Sequence, residues 1–173
     1  MLHPMVIHLP LGLMFLAPII IFLLWQKVKE NADQDLSQND LWRVLIVVLL
    51  IMTIASFVSM MTGEHDEEIV EKLVPEEPIE SHEDIAKIFT ISVVILLAGS
   101  VAIAYLKENI RNLMIISLLG LSLVVIALGG LTGKKGGELV YQHKAANAFD
   151  AKTVGDNAQP KKNEKHDKDD DDD

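Results

Sequence analysis

VLIVVLLIMTIASFVSMM, Val44–Met61, runs for 18 residues without a charge. At about 1.5 Å of rise per residue, a helix of this length crosses roughly the 30 Å of a bilayer's hydrocarbon core. A buried strand would be half as long and punctuated by turns. A soluble core helix would carry a polar face, which this run lacks. Working outward, Leu9–Trp25, Ile88–Leu106 and Leu113–Leu131 read the same way, so the chain has four uncharged runs of 17 to 19 residues. The expected fold class is therefore all-α: an integral membrane four-helix bundle, up-down-up-down. The composition agrees. Of the 173 residues 50% are hydrophobic and mean hydropathy is positive at +0.29 although 23% are charged, so charge and apolar residues are segregated along the chain. An ordinary soluble enzyme is excluded.

The connections are Gln26–Arg43, the acidic Thr62–Lys87, the tight Lys107–Asn112 and a polar tail. We expect one four-span domain over residues 1–145 and a disordered Lys/Asp-rich tail over 146–173, ending in Asp169–Asp173. The first run reads as a retained span and not a cleaved signal peptide, because its first basic residue, Lys27, follows the apolar stretch. An even number of spans puts both termini on one face. Basic flanks tie: Lys27, Lys29, Arg43, Lys107 and Arg111 on one side, Lys72, Lys87, Lys134, Lys135 and Lys144 on the other. The flank of the first helix decides, placing both termini outside, with Trp25, Trp42 and Tyr105 as an inner aromatic girdle.

A weak internal repeat is visible. Thr62-Gly63 with Glu68-Ile69-Val70 recurs as Thr132-Gly133 with Glu138-Leu139-Val140, and His8 with Phe15 recurs as His82 with Phe89, the pattern of two duplicated helical hairpins. The formal net charge of −10, from 15 basic against 25 acidic residues, repels a phosphate backbone and argues against nucleic acid as a partner. The absence of cysteine removes disulfides, thiolate metal sites and cysteine nucleophiles. Metal chemistry would have to come from histidine and carboxylate.

The histidines concentrate. His3, His8, His65, His82 and His143 all fall on the face carrying the termini, and His166 lies in the tail on that same side. Histidine is the commonest metal ligand and a frequent haem ligand. His8 is set into the apolar run Val6-Ile7-His8-Leu9, where a partner is most needed, and in a bundle His8 and His82 can face each other across the core. Carboxylates crowd the same face, with ten acids and one Lys between Glu64 and Asp84. Most of them read as a solvated acidic loop; His65, Asp66, Glu68 and Glu138 are secondary candidates for a mixed nitrogen and oxygen site suited to iron, zinc or manganese.

HPMVIHLPLGL at His3–Leu13, TGEHD at Thr62–Asp66, the single His82 before the third span and GGELVYQH at Gly136–His143 resemble the bacterial membrane family catalogued as domain of unknown function 2231, over about residues 1–145. The resemblance implies a four-span membrane domain of the bacterial inner membrane whose shared histidines match His3, His8, His82 and His143. It supplies no established reaction. Some relatives are similar to membrane modules joined to cytochrome c or Rieske-type redox domains, which implies an electron-transfer setting. This chain departs from the pattern in carrying no such domain and in having Lys144 where the family's usual glycine follows the last motif histidine.

The leading expectation is a redox-associated membrane protein binding one haem b or a divalent metal such as iron at the face carrying the termini, haem being preferred for the redox-domain association, with His8 and His82 as first-choice ligands and His3 and His143 as second. Expected partners are the lipid bilayer and cytochrome c or Rieske-type proteins, and a homo-oligomer stays open. The alternatives are a metal-ion or small-solute transporter, disfavoured because past Leu9 the spans hold only Ser and Thr as polar groups, and a cofactor-free subunit or scaffold. Hydrolysis lacks a nucleophile elbow, P-loop or zinc-protease motif.

Overall fold

The computed structural model describes residues 3–30 and 39–148. The expected tail beyond residue 148, with His166, lies outside them. Among the described residues the elements are helices: α1 His3–Val6, α2 His8–Leu13, α3 Leu16–Glu30, α4 Asp40–Val70, α5 Glu76–Ala102 with a 3-10 turn at Ile103–Tyr105, and α6 Glu108–Tyr141. Four of the helical stretches are long and apolar enough to cross a membrane, α2 and α3 together making the first.

That first crossing begins one residue before the apolar run, at His8, and the helix is interrupted twice, just ahead of the crossing after Val6 and within it after Leu13. Prolines explain both places. Pro10 has no N–H for the Val6 carbonyl and Pro18 has none for the Met14 carbonyl, so each interruption falls where an i→i−4 bond is missing. The other helices overrun the uncharged segments. The expected acidic loop Thr62–Lys87 is instead the end of α4 and the start of α5, joined by a short turn closing on Pro75. Glutamate is a good helix former, so α4 continues about 13 Å past Met61 until the turn before Pro75 stops it. At its other end α4 is capped by Asn39, whose side chain accepts from the Leu41 N–H at 3.0 Å.

One side of each helix is buried at heptad-like spacing. Ala17, Ile21, Leu24 and Val28 of α3, Leu45, Leu49 and Met52 of α4, Phe89, Val93 and Leu96 of α5, and Ile115, Leu118 and Val125 of α6 form one core. The outward side chains are equally apolar, among them Val47, Ile54, Phe57, Ile91, Ile95, Leu113 and Leu123, which suits contact with lipid chains. Close approach depends on glycine: a methyl at Gly129 would collide with Met14 and Phe89, and one at Gly99 with Leu118. Along α5 and α6 the contacts run in opposite directions, His82 with Gly136, Phe89 near Gly129 and Gly99 against Leu118. The start of α4 meets the end of α5, where Trp42 Nε1 donates to the Ser100 carbonyl at 2.9 Å.

The burial pattern repeats, in a register the sequence matches do not show. Leu45, Leu49, Met52 and Ser56 have counterparts 73 positions on, at Leu118, Ser122, Val125 and Gly129, all buried. Ala17, Ile21, Leu24 and Val28 have theirs 72 positions on, at Phe89, Val93, Leu96 and Ser100.

Candidate functional site

Two histidines meet where α1, α4, α5 and α6 come together. The rings of His3 and His82 lie 6.3 Å apart, centroid to centroid, with their planes at 83°. His3 Nδ1 donates to the Ser59 carbonyl at 2.8 Å, since a carbonyl can only accept, and Thr62 Oγ1 stands 3.4 Å from the same nitrogen. This bond puts the His3 proton on Nδ1 and the lone pair on Nε2. His82 hydrogen-bonds to the backbone of Thr132. Its Nδ1 is buried with no partner, which leaves Nε2 as the donor to Thr132 and Nδ1 as the nitrogen with the free lone pair.

Each ring rests on a glycine. An alanine methyl at Gly63 would stand 3.3 Å from His3 Cε1, and one at Gly136 would stand 3.2 Å from His82 Cε1. In both cases the carbonyl that holds the ring belongs to the hydroxyl residue four positions before that glycine, Ser59 before Gly63 and Thr132 before Gly136. The two imidazoles occupy equivalent cradles. Gly63, Thr132 and Gly136 stood in the repeat and motifs read from the sequence, but neither they nor Ser59 were given a role beside the histidines. Their signal was present as a small residue repeating at i and i+4, a spacing that permits close helix approach.

The other expected ligands are arranged differently. The ring brought to His82 is that of His3 and not of His8, which lies exposed at the start of α2; Ile7 between them keeps helical dihedrals, φ −62° and ψ −24°, and five residues of helix set the two rings about 140° apart. His65 and Glu68 are exposed on α4 and Asp66 is half-buried. Glu138 pairs with Lys134 at 3.8 Å and Lys135 at 3.7 Å, and with His143 it lines a cavity of about 210 Å³ shared by Glu77, Pro78, Ser81 and Lys135. Among the described residues no three of His, Asp and Glu gather as a metal-holding group. Glu67, on the charged extension of α4 beyond its apolar run, has its carboxyl raised above the usual range by partial burial, then by Glu83, Glu71 and Glu64, with Lys87 opposing. Lys87 itself pairs with Glu83 at 2.9 Å.

Several hydroxyls within the spans turn back on their own helices. Thr53 donates to the Leu49 carbonyl, Ser56 to Met52, Ser92 to Ile88, Ser117 to Leu113 and Thr132 to Leu128. Such bonds satisfy the hydroxyl within its own turn and leave less of it to line a solute path.

A family model described as a predicted membrane protein, DUF2231, matches residues 1–148. The chain belongs to DUF2231. No curated protein and no solved structure matches it. In this DUF2231 protein the four stretches that carried the resemblance converge on one place: His3 from the first, Thr62 and Gly63 from the second, His82, and Gly136 from the last. The departure at Lys144 also has a structural counterpart. Lys144 has φ 56°, and the Ala145 N–H reaches back to the Leu139 carbonyl at 3.0 Å to close α6. A left-handed residue at this point of a helix end is ordinarily glycine, and lysine bears a strain of about 1 kcal/mol there.

Proposed function

We propose that this membrane protein holds a single transition-metal ion between His3 and His82, in a redox setting. The observation that carries the reading is the tautomer arrangement. Each imidazole donates one N–H to a backbone carbonyl and keeps a lone pair on the other nitrogen, and the His82 lone pair is buried and unpartnered. Metal-bound histidines are oriented by such a second hydrogen bond, and an unpartnered buried acceptor is costly unless something is bound to it.

Of the two groups expected from the sequence, a bare ion is favoured over haem b. Both rings rest against helix backbone at Gly63 and Gly136 and stand perpendicular to one another, so a macrocycle would need a slot between elements already in contact. The free nitrogen of His82 is Nδ1, next to the ring's own Cβ attachment, where a small ion fits and a porphyrin is crowded. The redox setting rests on the family resemblance to modules joined to cytochrome c or Rieske-type domains. It accords with the bacterial inner membrane as location and with termini outside, where such partners would meet the histidine end.

Metal analysis and a reduced-minus-oxidised visible spectrum of detergent-purified protein test the reading. The expected result is near one metal ion per chain, lost in His3→Ala and His82→Ala and kept in His65→Ala, with no Soret band. Sharp Soret and alpha bands at one haem per chain would replace the ion with haem b. Equal metal content in all three variants would overturn the site, and a wild-type protein without metal or haem would leave the cofactor-free subunit.

A further inference from the structure

We infer that the ion selected by the His3–His82 pair is copper(I); this rests on the metal-site reading above and names the ion. Three features of the site select among metals. The first is donor number. Zinc takes three or four protein ligands, and calcium, magnesium and manganese take larger oxygen shells, whereas no group of three His, Asp or Glu forms among the described residues. A closed-shell monovalent ion of the copper group is satisfied by two nitrogens in a diagonal arrangement, and imidazole is a suitable copper ligand.

The second feature is charge. Both donors are imidazoles and not carboxylates; the Glu83 charge felt at His82 is shared with Lys87 at 2.9 Å, and Glu138 pairs with Lys134 and Lys135. With no carboxylate among its own donors, a divalent ion bears a desolvation cost that grows with the square of its charge, so the site discriminates toward a monovalent one. The third is span. One ion with metal–nitrogen bonds of about 2 Å on either side, added to the radii of the two rings, needs centroids about 6 Å apart. The observed separation is 6.3 Å. Thioethers, which also prefer copper(I), stand at the same end of the chain's fold: Met5, two residues from His3, and Met61, two residues from Gly63, are both exposed.

The test uses the full chain in detergent under reducing, anaerobic conditions, with copper(I) supplied from a coloured bicinchoninate complex. The chain is expected to withdraw one equivalent of copper(I), His3→Ala and His82→Ala to withdraw none, and tenfold excesses of zinc(II) or iron(II) to leave the stoichiometry unchanged. X-ray absorption of the loaded wild-type protein, which needs no variant to fold, should show the sharp pre-edge feature of a two-coordinate copper(I) with nitrogen neighbours. A three- or four-coordinate spectrum overturns the inference. Preferential loading of zinc(II) or iron(II) at the same two histidines overturns the choice of ion and leaves the metal-site reading standing. Failure of every ion to load overturns both.

Discussion

Gly136 and Gly137 are adjacent residues with opposite surroundings. A methyl at Gly137 meets nothing within 4 Å, while one at Gly136 presses on the His82 ring at 3.2 Å. Both sit inside α6, where alanine is intrinsically better than glycine by about 0.5–1 kcal/mol. Gly137→Ala should therefore raise the unfolding temperature in detergent. Gly136→Ala should fall below it and bind metal more weakly, because His82 must shift by a few tenths of an ångström to admit the methyl. Thermal unfolding and metal content of the two variants side by side check this. At this scale the sequence singled out His3 and His82 as candidate ligands, but it ranked His8 first. The ranking followed from the apolar run around His8, Val6-Ile7-His8-Leu9, where a partner is most needed. On the helical path that the backbone keeps through Ile7 the two histidines stand about 140° apart, so the face that turns His3 to His82 leaves His8 outside.

The helices are longer than their apolar runs because two different quantities set the two lengths. Bilayer thickness fixes how many residues must be uncharged, whereas helix propensity and proline decide where the backbone stops being helical. The extensions of α4 and α5 thus bring like charges together, with Glu67 facing Glu83 besides its own neighbours Glu64 and Glu71. A carboxyl raised in the folded state contributes stability that is complete below its unfolded range and is lost as pH rises through the folded value. At neutral pH Glu67 is therefore a net liability, weakened by its partial exposure to solvent. Glu67→Gln should raise the unfolding temperature at pH 7, with the gain vanishing as the pH falls below the ordinary carboxylate range and shrinking in high salt. A melt series across pH and ionic strength decides it.

Across the whole molecule, polar contacts between helices add to the apolar core. Trp42 Nε1 donates to Ser100 and fastens the start of α4 to the end of α5. Trp42→Phe keeps the ring's packing and removes this bond, and should cost about 1 kcal/mol, read as a lower unfolding temperature in detergent. The sequence by itself determined the class of the molecule: four uncharged runs long enough to span a bilayer admit helices alone, because a backbone in lipid must satisfy its own hydrogen bonds. It also brought most of its histidines to one end by counting spans. Only the tertiary structure decided which of them meet and what holds them, namely the Ser59 and Thr132 carbonyls and the bare backbone at Gly63 and Gly136. The repeat shows the same division, since letter matches run at a spacing of 70 or 74 while buried positions recur at 72 or 73. The reason is physical. Hydropathy is read residue by residue along the chain, but which side of a helix turns inward, and which ring reaches which glycine, depends on the rotation and depth of every helix against its neighbours.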